Sequence, residues 1–280
     1  MLKQRVITAL VMLALLLPAL FYPRIEPFAL LTLVLIALAG WEWSRLNGLP
    51  DGAARGVGLA LGVALGLFWQ FGGAALPWTA LWWLAGLIWV VLGSWVLSRG
   101  TTGWLHWPVW ARLLVGLMLI AAAWLALVQA RLLGLGFLLS VLTLVWMADI
   151  AAYFGGRAFG RRKLAPTISP GKSWEGVISG MLGVLLLAGA WLWLDGHGWT
   201  DRTSLFSRLW TWSPLLAVPA VLFLSAMSVM GDLLESLVKR SAGMKDSSQL
   251  LPGHGGVLDR VDALLPLLPL AMVLATLSKP

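Results

Sequence analysis

The chain has 280 residues, of which 60% are hydrophobic and only 11% charged, with a formal net charge of +8. An ordinary soluble domain is about 25% charged, so this composition cannot build a water-facing surface, and a soluble globular enzyme and a disordered chain are both excluded. The sequence has no cysteine, which removes disulfide frameworks, thiolate metal sites and cysteine nucleophiles.

Crossing ~30 Å of hydrocarbon takes ~20 apolar residues. Nine such stretches are predicted, at about 5–22, 27–45, 56–75, 78–98, 110–130, 133–154, 174–194, 212–234 and 257–277. The fold class implied is an all-α integral membrane protein, a polytopic bundle of about nine transmembrane helices. Breaks are expected at Tyr22-Pro23-Arg24, at Asn47-Gly48-Leu49-Pro50-Asp51-Gly52, at Gly72-Gly73, at Arg99-Gly100 and at Asp195-Gly196-His197-Gly198. Lys3 and Arg5 precede the first apolar run as they would in a signal peptide. However, no small-x-small cleavage site comes after it, and Pro23-Arg24-Ile25-Glu26 leads into the next span, so the first span is expected to be retained. The 19 Trp and 31 Gly fit interfacial belts and close helix packing.

Lys and Arg set the orientation. With the N-terminus cytoplasmic, 15 of the 20 basic residues fall on the cytoplasmic side, and only Arg24, Arg131, Arg202, Arg208 and Lys279 lie on the far side. A basic excess of this kind reports topology and contact with anionic headgroups, and no nucleic-acid partner is expected. Residues 1–132 are read as a lipid-facing scaffold and 133–280 as the catalytic region, which carries a cytoplasmic-side polar pocket. The longest polar stretches, 155–173 and 235–262, share the cytoplasmic face.

Seven of the 12 acidic residues cluster near these two stretches: Asp149, Glu175, Asp232, Glu235, Asp246, Asp259 and Asp262. A carboxylate within a span is costly unless it meets a cation or water, and it marks a functional site by default. A helix-to-helix salt bridge accounts for any one of them, but not for seven together. Asp232, Glu235, Ser236 and Lys239 fit an i, i+3, i+4, i+7 pattern and share a face of the eighth span. Asp149 and Tyr153 share a face at the end of the sixth. Asp259 and Asp262 open the ninth, where negative charge suits the helix dipole.

Oxygen donors without cysteine suit Mg²⁺ or Mn²⁺ rather than Zn²⁺, with Asp232, Asp259, Glu235, Asp262 and Asp149 as candidate ligands. Arg161, Arg162, Lys163, Lys172, Lys239, Arg240, Lys245 and Arg260 flank them, and Gly253-His254-Gly255-Gly256 permits close backbone approach. Carboxylates, cations and a glycine-rich turn at a helix start make a set for polyphosphate binding and phosphoryl or nucleotidyl transfer. For the basic residues alone, the positive-inside rule is a sufficient account.

Three stretches carry a family resemblance. Ser236-Leu-Val-Lys239-Arg240, then Lys245-Asp246, then Leu251-Pro252-Gly-His254-Gly255-Gly256-Val-Leu-Asp259-Arg260-Val-Asp262 resembles the signature of phosphatidate cytidylyltransferases, the CDP-diacylglycerol synthases. Asp149-Ile-Ala-Ala-Tyr153-Phe-Gly-Gly156-Arg-Ala-Phe-Gly160 and Ser169-Pro170-Gly-Lys172-Ser173-Trp-Glu175-Gly176 resemble the same family. Ile150 departs from the small or hydroxyl residue expected beside Asp149.

The resemblance implies formation of CDP-diacylglycerol and pyrophosphate from CTP and phosphatidic acid for phospholipid biosynthesis. The reaction would be assisted by Mg²⁺, with Mn²⁺ as the alternative and room for a second cation. It implies Asp232 and Asp259 as primary metal ligands, with Lys239, Arg240, Lys245 and Arg260 on phosphates. Lys172 and Ser169 would close the pocket, and His254 would orient the pyrophosphate. Tyr153, Ser173, Glu175, Ser236, Asp246, Gly255, Gly256 and Asp262 complete the expected site. The setting implied is a bacterial-type inner (plasma) membrane with the active site facing the cytoplasm, and a homodimer is left open. An ion-coupled transporter would also hold intramembrane carboxylates, but near the midplane and with repeat symmetry between the halves. Here the charges crowd toward one surface.

Overall fold

The computed structural model describes residues 2–73 and 76–278; Lys279, assigned above to the far side, lies outside the described residues. Among the described residues nine helical spans are long and apolar enough to cross a membrane. The first three are α1 (Leu2–Phe21), α2 (Glu26–Leu46) and α3 (Asp51–Gln70). The fourth runs from α4 (Thr79–Leu87) through a π-helical turn at Ile88–Gly93 into α5 (Ser94–Leu105). Then come α6 (Val109–Leu133) and α7 (Leu135–Phe159), a hairpin of β1 (Lys163–Ala165) and β2 (Ser169–Ser173), and α8 (Trp174–Gly196). A short α9 (Leu205–Trp212) precedes α10 (Pro214–Ser241), and α11 (Leu258–Val261) with α12 (Leu264–Leu277) forms the ninth span.

All nine expected spans are present, and the chain is an all-α multi-pass membrane protein. The structure corrects several boundaries. α3 begins at Asp51, not near residue 56, because Pro50 takes an extended conformation (ψ 147°) that ends the preceding turn and leaves Asp51 in the first helical position. Arg99-Gly100 does not end the fourth span: Gly100 (φ 67°, ψ −165°) kinks it, and the helix goes on to Leu105. The stretch 155–173 is only partly loop, since α7 continues to Phe159 and the remainder pairs antiparallel, Lys163 with Ser173 and Ala165 with Ser169. The loop after Gly196 contains the helix α9, started by Ser204, whose hydroxyl accepts from the Ser207 amide at 3.2 Å.

Hydrogen bonds between distant loops define the two ends of the bundle. At one end the Thr8 hydroxyl donates to the Pro252 carbonyl (2.9 Å), Arg45 to that of Ser247, and the Ser241 hydroxyl to that of Thr101 (3.4 Å). At the other, Arg131 donates to the Leu20 carbonyl (3.2 Å), and Asp201 accepts from the Leu135 and Gly136 amides at 2.7 and 2.6 Å. Arg240 also donates to the Ile168 carbonyl (3.4 Å), so the start of α1 and both polar stretches share one end.

Small residues bring α7 and α8 together. A Cβ on Gly176 of α8 would lie 2.9 Å from the Ala152 carbonyl oxygen, and one on Gly180 would lie 2.8 Å from that of Ala148. Glycines four residues apart thus let the two helices meet backbone to backbone, the packing that small residues permit in membranes. That contact places Asp149 and Tyr153 beside the strand leading into α8.

Candidate active site

The site is assembled from helix ends. Ser173 closes the β-hairpin and caps α8, its hydroxyl accepting from the Gly176 amide at 3.2 Å. Glu175, one residue into α8, accepts from the Arg161 and Arg162 amides at 3.1 and 3.2 Å. Its carboxylate pins the chain as it leaves α7 for the hairpin. With both strands fixed, Lys172 points at α10.

Asp149, Tyr153, Gly156 and Arg157 of α7, Lys172 and Ser173 of β2 and Asp232 of α10 line a cavity of about 500 Å³. Lys172 Nζ lies 2.6 Å from Asp232 Oδ2, and the Ser236 hydroxyl lies 3.3 Å from Asp232 Oδ1. Asp149 and Asp262 both lie near enough to Asp232 to feel its charge. Asp262 accepts from the Ala263 amide at 2.8 Å, while Asp149 has no hydrogen-bond or ion-pair partner among the described residues. Arg157 donates to the Tyr153 hydroxyl at 3.2 Å. The cavity wall thus sets two carboxylates, Asp149 and Asp232, against two cations, Lys172 and Arg157.

A second charged cluster is walled in. Lys239 of α10 pairs with Glu235 and lies 2.5 Å from Asp259 Oδ1. Asp259 Oδ2 accepts from the Ser247 amide (2.9 Å), the Ser247 hydroxyl (2.8 Å) and the Gly256 amide (2.7 Å). Both oxygens of Asp259 are thus engaged. Asp232 and Asp259, the two carboxylates expected to share a metal, are each paired with a different lysine, Lys172 and Lys239. Gly255 (φ 83°) is required at its position: its backbone turns left-handed and passes so close that a Cβ would lie 2.6 Å from Asp259 Oδ2.

The remaining expected residues surround these clusters. Arg240 links the hairpin to the loop after α10, donating to the carbonyls of Ile168 (3.4 Å) and Met244 (3.3 Å). Arg260 donates to the His254 carbonyl at 2.6 Å, and His254 Nδ1 is buried without a hydrogen-bond partner among the described residues. Lys245 and Asp246 are exposed on the same loop. Ser169 starts β2 opposite Ala165 and does not line the cavity.

Sequence reasoning missed Glu42 of α2. It is wholly buried and accepts from Ser247, Ser248, Val257 and Leu258. An acid within an apolar span was itself the signal, because such a group requires partners.

Over residues 3–278 the chain matches the cytidylyltransferase family. It belongs to that family. It is 41% identical to the phosphatidate cytidylyltransferase of Pseudomonas aeruginosa over 275 residues, covering 96% of this chain and 95% of that protein. Against the phosphatidate cytidylyltransferase of Haemophilus influenzae the identity is 38% over 292 residues, with 96% of each chain covered. That of Staphylococcus aureus is 31% identical over 275 residues, covering 97% of this chain and 98% of that protein. The match extends through α1 to α6, so the family relation takes in the whole bundle and not the charged end alone.

Proposed function

We propose that this member of the cytidylyltransferase family transfers the cytidylyl group of CTP to phosphatidic acid, forming CDP-diacylglycerol and releasing pyrophosphate. The observation that carries the reading is the cavity lined by Asp149, Lys172 and Asp232, in a chain whose relatives bear that activity in their names. A phosphate oxygen of phosphatidic acid attacks the α-phosphorus of CTP. The new P–O bond forms as the α–β anhydride bond breaks, and its electron pair leaves with pyrophosphate. A phosphate monoester, with a second pKa of ~6, is already ionised at neutral pH, so no serine or cysteine nucleophile is required.

A wall of two carboxylates and two cations has no surplus positive charge to neutralise two polyanions, so a further cation is required. Among the described residues no three carboxylate or imidazole groups gather tightly enough to hold an ion by themselves. Two carboxylates on one cavity wall, Asp149 and Asp232, suit Mg²⁺, with Mn²⁺ as the alternative, since Mg²⁺ is typically held by one or two carboxylates and completed by substrate phosphates and water. Asp149, unpaired, and Asp232 would hold it, with Asp262 behind them. Bound there, it would neutralise charge on the phosphate oxygens.

The chain's own groups do the rest. Lys172, steered by Asp232, takes a phosphate oxygen. Arg240, Lys245, Arg260 and His254 face the leaving end of CTP. Ala148, Val177 and Val229 give the diacyl end an apolar wall. We place the site at the cytoplasmic face of the inner (plasma) membrane, because the end that holds it carries most of the lysines and arginines.

One experiment tests activity, orientation and metal together. Inside-out membrane vesicles given CTP and phosphatidic acid should form CDP-diacylglycerol, and chelation of divalent cations should stop it. Right-side-out vesicles should form none, since CTP does not cross a bilayer. Equal turnover in sealed right-side-out vesicles would reverse the orientation, turnover that survives chelation would remove the metal, and no product in either would sink the function.

A further inference from the structure

We infer that Glu42 on α2 is a positioning residue for cytidylyl transfer: together with the buried Lys239–Asp259 pair it holds residues 247–258 in the shape that frames the cavity and presents His254 to the reaction. The inference rests on the function proposed above.

Glu42 is 0% exposed and has no ion-pair partner among the described residues, so its charge is supported by hydrogen bonds alone. Oε1 accepts from the Ser248 hydroxyl (2.5 Å) and the Val257 amide (3.0 Å). Oε2 accepts from the Ser247 hydroxyl (3.0 Å) and the Leu258 amide (2.7 Å). One carboxylate therefore ties both ends of the glycine-rich loop to the same point on α2. The loop backbone lies directly on it, since a Cβ on Gly256 would come within 2.7 Å of Glu42 Cδ.

The tie reaches the charged residues. Ser247 Oγ is 2.8 Å from Asp259 Oδ2 as well as 3.0 Å from Glu42 Oε2. A hydroxyl has one proton, so it donates to one carboxylate at a time and couples the two. From Asp259 the chain continues to Lys239 and Glu235. His254 sits at the tip of the loop, between the two anchored ends.

The pairing makes glutamine a poor substitute. Each oxygen of Glu42 receives one hydroxyl and one backbone amide. A serine can turn to accept, but a backbone N–H cannot. Whichever way a glutamine amide is placed, its NH₂ faces a peptide N–H, and that side of the loop must move.

The test compares wild type, Glu42→Gln, Ser248→Ala and Asp201→Asn, each purified in detergent. The readouts are kcat per folded molecule, Tm and amide exchange at Val257 and Leu258. Glu42→Gln should lose ~10²-fold in kcat, the scale of a 1 Å misplacement near the chemistry, with faster exchange at both amides. Ser248→Ala removes one of the four donors and should lose several-fold. Asp201→Asn weakens the cap on α7 at the opposite end, and should lower Tm while leaving kcat as in wild type. Wild-type kcat in Glu42→Gln, with Tm lowered as in Asp201→Asn, would overturn the inference and leave Glu42 a stability residue. If Glu42→Gln does not accumulate, Ser248→Ala decides: faster exchange with unchanged kcat overturns the inference. Failure of the function itself would show separately, as a wild-type protein that makes no CDP-diacylglycerol.

Discussion

Two lysine–carboxylate clusters sit at the same end of this membrane protein, both anchored on α10. In the first, Lys172 and Asp232 keep 25% and 30% of their side-chain surface exposed, on the wall of an open cavity. In the second, Lys239 and Glu235 keep 12% and 3%, and Asp259 keeps 6%. The residue types are the same, and Asp232 and Lys239 lie on one face of one helix. What differs is the neighbourhood seven residues along. Asp232 faces the gap beside α7 and β2, while Lys239 faces the loop that α2 holds down. A half-solvated pair can exchange partners when a phosphate arrives. A buried pair cannot, because freeing either charge leaves the other unpaired in a poorly solvated setting. The first cluster is thus suited to act on substrate and the second to hold the loop that frames it.

The largest effect is expected where burial is deepest. Lys239→Met leaves Glu235 and Asp259 without their cation, and breaking a buried pair costs about 3–5 kcal/mol. The variant should accumulate poorly and melt early. Replacing Glu235 as well, as Lys239→Met with Glu235→Leu, should recover part of the stability, since it removes one of the two stranded carboxylates while Asp259 keeps its bonds from Ser247 and Gly256. A Lys239→Met protein with wild-type Tm and no activity would break the comparison by putting this ammonium on the substrate.

The open cluster should behave the other way. Asp232→Asn keeps size and removes charge at a half-exposed position, so folding should be preserved while the rate falls at least ~10²-fold, the scale of losing one key electrostatic stabiliser. The readouts are Tm, product formation and the divalent-cation dependence of the residual rate. A normal rate with a lowered Tm would show that Asp232 is structural, and it would move the expected metal ligands to Asp149 and Asp262.

Much of this was legible in the sequence for a simple reason. A span announces itself by composition, and the nine stretches come from apolar length alone. The shared face of Asp232, Ser236 and Lys239 comes from helical period. Glu42 was visible as an anomaly, but its partners Ser247 and Ser248 lie 205 and 206 residues away. No local pattern encodes a contact across that distance. Nor does periodicity tell that Asp259 would spend both oxygens on Lys239 and loop amides, because burial there depends on how α2, α10 and the glycine-rich loop close on each other. The hairpin at 163–173 was hidden in the same way: its strands are short and mixed in character, and Glu175 fixes the chain that enters it from outside.

The smallest effect sharpens the boundary between the clusters. Arg240 is exposed, yet its guanidinium donates at once to the carbonyls of Ile168 on the hairpin and Met244 on the loop after α10. It bridges the segment behind the open cavity to the segment behind the buried cluster. Lysine keeps the charge but has no planar fork, so it cannot span both carbonyls in the same geometry. Neither bond is short, and each neutral-acceptor contact to a charged donor is worth ~1.5–3 kcal/mol at most. Arg240→Lys should therefore fold normally and lose ~10-fold in rate, with the larger change in KM for CTP if the guanidinium also meets a phosphate. An unchanged rate in Arg240→Lys would make the residue an interfacial charge, and the two clusters would then act without this bridge between them.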